Sequence, residues 1–150
     1  MKLHALLCLG LLAVSACGEF PRDPNDALKR IRASGSYRVG LVAPLGQGNP
    51  DPKVAALLQR VSHAAGASAK LEEGDAEPLF DRLEEGELDL VIGRFEEKSP
   101  WKRLVSFSPP LRVETQGKTK FHLTAAMTNG ENAWISLVER EARNMSPEAQ

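Results

Sequence analysis

Catalysis and metal binding need particular side chains in groups, and this 150-residue sequence offers few such groups. Beyond the N-terminal stretch the histidines are His63 and His122, with no HExxH pattern and no cysteine pair nearby, so no zinc site is expected. His63 falls late in an apolar-striped helical segment, and His122 alternates between Phe121 and Leu123. Plain surface or half-buried roles are expected for both. No Gly-x-Ser-x-Gly elbow occurs, and Cys8 and Cys17 both lie in the first seventeen residues. The acidic groups Glu72, Glu73, Asp75, Glu77 and Glu84, Glu85, Glu87 lack the Asp-x-Asp-x-Asp-Gly alternation of a calcium loop and read as a solvated face. Gly46-Gln47-Gly48 has the glycines of a phosphate loop, but no Gly-Lys-Ser/Thr follows, and Asn49-Pro50 interrupts the turn. No catalytic residue, metal or cofactor is therefore expected, and no enzyme is expected from these residues. The loop carrying Pro44, Gly46 and Gly48 is built from turn formers. The Arg94 fork suits a carboxylate. Trp101 reads equally as a contact platform and as an edge cap on the core.

The segments that must position these residues alternate between strand and helix periods. A short helix over Ala27–Ala33, capped by Asn25 or Asp26, stops at Ser34-Gly35. Tyr37–Ala43 is mostly apolar, as suits a strand covered on both faces. Asp51 caps a helix with Pro52 at its first position, and Val54, Leu57, Leu58, Val61 and Ala65 form its apolar stripe before Gly66. Ser68–Glu72 reads as a weak edge strand. Asp75–Glu85 reads as a helix presenting Leu79, Phe80 and Leu83 inward, and Leu88–Gly93 as the strongest strand. Arg94–Pro100 is expected as a loop, Lys102–Ser108 as a strand, Pro109–Lys118 as a loop and Lys120–Met127 as the last strand. Thr128-Asn-Gly-Glu131 matches a capping box opening a final helix with Trp134, Leu137 and Val138. This order implies an α/β fold, with a parallel or mixed sheet and helices on both faces.

The N-terminus reads as a targeting segment. Lys2 precedes the apolar run Leu3–Val14, too short to span a bilayer, and Val14-Ser15-Ala16-Cys17 resembles a bacterial lipobox. That resemblance implies a signal peptide over 1–16 and lipidation of Cys17, with membrane attachment through the lipid. Gly18, where retention signals place Asp, favours the outer membrane if the cell has one. The alternative is an ordinary signal peptide cut near Ala16. Residues 17–25, with two prolines, read as a tether.

Composition narrows the class. With 42% hydrophobic and 26% charged residues the chain reads as globular rather than disordered. A formal charge of -1 leaves no basic field for nucleic acid.

Four segments resemble the bacterial extracellular solute-binding proteins of family 3, the polar amino-acid type. They are Asp26-Ala-Leu-Lys-Arg-Ile-Arg-Ala-Ser-Gly-Ser-Tyr-Arg-Val-Gly-Leu, Leu83-Glu-Glu-Gly-Glu-Leu-Asp-Leu-Val-Ile-Gly93, Ser99-Pro-Trp-Lys-Arg-Leu-Val-Ser-Phe-Ser-Pro-Pro-Leu111 and Asn129-Gly-Glu-Asn-Ala-Trp134. The resemblance implies a periplasmic-binding-protein type II-like lobe over 26–145, with a mostly parallel sheet flanked by helices on both faces. In that family two lobes close on a ligand and present it to an ABC permease. Here only Arg112–Phe121 separate the Phe-Ser-Pro-Pro segment from the returning strand, too few for a second α/β lobe. Without a gap, the family's ligand positions fall on Gly93, Arg94, Glu96 and Trp101. Two functions follow. One is a lipid-anchored module for amino acids or similar small polar solutes, using Pro44, Gly46, Gly48, Arg94 and Trp101 at the strand ends and serving an ABC permease. The other is an envelope lipoprotein whose former cleft face docks a protein partner.

Overall fold

The computed structural model describes residues 23–44 and 51–145. The signal segment with Cys17, most of the tether, and Gly46 and Gly48 lie outside the described residues. Helix α1 (Ala27–Ser34) opens the fold and ends on Gly35, whose φ of 67° needs no Cβ to be tolerated. Strand β1 (Ser36–Val42) follows, then α2 (Pro52–Ala65), β2 (Ser68–Gly74), α3 (Ala76–Glu84) and β3 (Leu90–Glu96). A 3-10 turn (Pro100–Arg103) leads to β4 (Val105–Phe107), β5 (Arg112–Gln116), β6 (Thr119–Thr128) and α4 (Asn132–Arg143).

One sheet has the order β2-β1-β3-β6-β4, with β5 also on β6. β1 is parallel to β2 and β3, whereas β6 is antiparallel to β3, β4 and β5. Every strand except β6 therefore runs the same way, and the α/β single-lobe expectation holds. Period-2 alternation splits the apolar residues between two cores. Val39, Leu41, Leu90, Ile92, Leu123 and Met127 pack under α1, α2 and α4, where Tyr37 meets Trp134 edge-on at 5.4 Å. Leu88, Val91, Phe95, Val105 and Ala126 pack under α3 with Leu79, Phe80 and Leu83. Gly40 lets α3 settle closely: a Cβ there would lie 2.8 Å from a Leu79 methyl.

Three segments differ from their sequence patterns. β3 continues through Glu96, because Arg94 and Glu96 turn outward while Phe95 stays buried and β6 supplies a neighbour. The Lys102–Ser108 segment is only partly strand: Ser99 caps the 3-10 turn through the Trp101 N–H at 3.4 Å. Arg112–Gln116 is β5, forming a hairpin with β6 through Gly117, whose φ is 62°. Its Arg-Val-Glu-Thr-Gln sequence has no apolar face and so carries no strand signal.

The expected capping box does not form. The Thr128 hydroxyl instead donates to the Leu83 carbonyl at 2.9 Å, and α4 begins only after Glu131. The Glu131 carboxylate accepts from the Asn25 and Ala27 N–H groups at 2.8 and 2.9 Å, at the start of α1. In return, Asp23 accepts from Asn132 and Ala133 N–H at 2.7 and 3.1 Å, at the start of α4. Each helix start is capped by the chain leading into the other, which also explains why Asp26 makes no cap bond.

Candidate functional site

The C-terminal ends of β1, β3, β4 and β5 gather at one end of the sheet, together with the start of β6 and the β5–β6 turn. Two different surfaces form there, one on each face.

On the α3 face lies an open concavity of about 330 Å³ lined by Phe95, Glu96, Lys102, Val105, Phe107, Ser108, His122 and Thr124. Its apolar side is held rigid by ring contacts: Phe95 and Phe107 lie 5.4 Å apart, and Phe80 packs against both. Gly93 makes room for Phe95, since a Cβ there would come within 2.4 Å of the ring. Thr124 donates to the Ser108 carbonyl at 2.8 Å, and the Ser108 hydroxyl accepts the Ala125 N–H at 3.2 Å. These bonds hold the turn after β4 against β6. Glu96 and Lys102 are exposed and bring opposite charges to the rim, with half-buried His122 between the strands. The lining thus combines aromatic, acidic, basic and hydroxyl side chains.

On the α2 face Arg94 and Arg112 converge on one carboxylate. Glu114 accepts from Arg94 Nε at 2.8 Å and from Arg112 Nε at 2.7 Å. Arg112 also reaches Asp51 at 2.7 Å, and Arg94 lies over the Phe121 ring at 3.7 Å. Hydrogen bonds from Arg112 and then Arg94 hold the Glu114 carboxyl below its usual range. Burial works against the charge on Asp51, but bonds from Arg112 and the Lys53 N–H outweigh it and lower its pKa as well.

The residues singled out in the sequence are thus divided. Arg94 is on the α2 face, and its fork is taken by Glu114 and by Gln116 at 3.3 Å. Trp101 is on the α3 face, stacked on Phe80 at 4.4 Å and 17°, behind the concavity rather than lining it. Pro44 is exposed just beyond β1. Of the two glycines in the same loop the described residues say nothing. Phe95, Lys102 and Thr124 were not singled out by their sequence pattern, and His122, expected in a plain surface or half-buried role, is half-buried and lines the concavity. The Phe-Ser-Pro-Pro segment containing Phe107 and Ser108 was the one local signal pointing to this place.

At the opposite end of the sheet, Asp89 is buried between Arg30 and Arg38. It accepts from Arg30 Nη2 at 2.7 Å and from the Arg38 backbone N–H at 2.8 Å. Arg38 Nε and Nη2 add two bonds at 3.0 Å. Burial opposes the Asp89 charge, yet these bonds outweigh it and lower its pKa. This cluster staples β1, β3 and α1, and its bonds leave Asp89 no free lone pair directed at a ligand.

No protein-family model matches the sequence, and no curated protein matches it. Solved structures do. A point mutant of domain 1 from TmArgBP in its arginine-bound form is 19% identical, with a TM-score of 0.67 over 80% of this chain and 98% of that one. The amino acid ABC transporter substrate-binding protein AbpA from Streptococcus pneumoniae, bound to L-arginine, is 9% identical, with a TM-score of 0.65 over 79% and 92%. The ancestral amino-acid-binding protein AncCDT-1, a precursor of cyclohexadienyl dehydratase, is 11% identical, with a TM-score of 0.65 over 81% and 93%. The fold is that of a single lobe of an amino-acid solute-binding protein. These neighbours are mostly binding proteins, with one precursor of an enzyme among them.

Proposed function

We propose that this protein is an extracytoplasmic, lipid-anchored binding lobe that takes an amino acid or similar small polar solute for an ABC-type transporter. The observation that carries this reading is the concavity at the strand ends, lined by the apolar Phe95 and Phe107 and by the charged residues Glu96 and Lys102. An amino acid brings to such a lining an apolar portion and two charges of opposite sign. The arginine-bound form of domain 1 from TmArgBP supports it, because that neighbour is a single domain in its arginine-bound form.

The test is thermal denaturation of the protein lacking residues 1–17 against amino acids, small acids and amines. Binding stabilises by mass action, by about 2.7 kcal/mol at a ligand concentration of a hundred dissociation constants. Phe107→Ala should remove the shift. If no compound moves the melting point at millimolar concentration, the solute-binding reading fails. The anchor has its own test, since Cys17→Ala should release the protein from membranes.

A second reading has an observation of its own. Arg94 is already closed by Glu114, and Leu104 and Val113 are 46% and 52% exposed near the concavity. Both features suit a face that docks a protein partner in the envelope.

A further inference from the structure

The far edge of the sheet carries an arrangement that the strand ends do not use. β2 is outermost, bonded only to β1 among the described residues. The Ser68 N–H donates to the Gly35 carbonyl at 2.9 Å, and the Gly74 carbonyl accepts the Ala43 N–H at 3.0 Å. In a parallel ladder both main-chain groups of one residue point to the same side. Ser68, Lys70, Glu72 and Gly74 therefore bond inward, while Ala69, Leu71 and Glu73 turn their N–H and C=O groups outward. Leu71, at the middle of the strand, is 50% exposed, and Lys70 makes no hydrogen bond or ion pair among the described residues.

We propose that β2 is a self-complementary edge through which two copies of this chain pair antiparallel, about a two-fold axis at Leu71. That axis sets Leu71 against Leu71, Ala69 against Glu73, and Lys70 against Glu72 of the other copy. Every outward N–H then meets an outward C=O, because the three outward residues are the ones the axis pairs. Lys70 and Glu72 share the α3 face and fall in the close, non-hydrogen-bonded pairs, with Cα atoms about 4.5 Å apart. Glu72 then lies between Arg82 of its own chain and Lys70 of the partner copy. Leu71 covers its counterpart on the α2 face. Shifting the axis to Glu73 would oppose two glutamates, and shifting it to Ala69 would leave the charge pairs unmatched. The other edge lacks this property: an axis at the middle of β5 would oppose two copies of Glu114, which Arg94 and Arg112 already occupy.

The test is the mass of the purified protein by sedimentation and light scattering across concentration. A two-chain species is expected. Lys70→Glu and Glu72→Lys should each weaken it by about tenfold or more, since like charges then face each other twice across the axis. Mixing those two variants, or combining them in one chain, restores opposite charges and should restore the pair. Leu71→Pro keeps every charge but removes an outward N–H and should give single chains with an unchanged circular dichroism spectrum. A single-chain mass for the wild type up to about 1 mM overturns the proposal. So does a dimer that ignores the charge reversals.

Discussion

Replacing Asp89 by Asn tests whether the buried charge at the base of the sheet is what holds β1, β3 and α1 together. The Asp89 side chain is 1% exposed, and its two arginine partners are 44% and 38% exposed. Four hydrogen bonds end on it, three from guanidinium groups and one from the Arg38 main chain. Asn keeps the volume, but it supplies one acceptor and turns an NH₂ donor toward groups that also donate. A charge-assisted bond contributes about 1.5–3 kcal/mol, and deleting one partner of a buried pair costs about 3–5 kcal/mol. The arginine heads reach water and recover part of their solvation, so Asp89→Asn should cost about 2–4 kcal/mol. With a urea slope of about 1–3 kcal/mol/M, the unfolding midpoint should fall by about 1–2 M at pH 7. The Asp89 pKa is lowered in the folded state. Its contribution is therefore complete above the unfolded value, about 3.9, and disappears as pH falls through the lower folded value. Wild type and variant should converge in acid. A midpoint change below about 0.3 M would refute the reasoning on magnitude. An undiminished difference at about pH 2 would show that lost shape, not lost charge, was responsible.

Other substitutions probe other links. Gly93→Ala should destabilise by about 1–3 kcal/mol and weaken solute binding, because its Cβ would displace the Phe95 ring from beneath the concavity. Thermal melting and a ligand titration on the same sample check both effects. Glu131→Ala removes the carboxylate that caps α1 and should lower stability by about 1–2 kcal/mol in urea, with no change in any bound solute. Trp101→Leu loses the stack on Phe80 and about 0.5–1.5 kcal/mol of ring interaction, and should leave solute affinity within about twofold. A loss of binding there would move Trp101 from behind the site into it.

Much of the fold is readable from local pattern. The stripe of α2 buries Val54, Leu57, Leu58, Val61 and Ala65 as its spacing implies, and Asp51 caps it through the Lys53 N–H at 2.8 Å. The apolar run in β3 is the strand covered on both faces. The candidate site is less readable. Arg94 and Trp101 are seven positions apart in sequence. Which face each one takes depends on where β3 stops alternating and the 3-10 turn begins. Arg94 attracts attention as a free fork until Glu114 arrives on β5, a strand that exists only because β6 offers it a partner. Likewise, the Thr128–Glu131 pattern satisfies the rule for a local cap, yet Glu131 serves a helix more than a hundred residues earlier.

By itself, then, the sequence determined the helices, most strands and the α/β order. Those depend on backbone period, turn residues and side-chain type, which act within a few positions of one another. Only the tertiary structure decided that the cluster of chemically useful groups lies at Phe95, Lys102, Phe107 and His122, that Arg94 is held by Glu114, and that β2 leaves Leu71 and Lys70 at an open edge. These follow from strand order and register, which place residues far apart in the chain against one another and assign every side chain to a face.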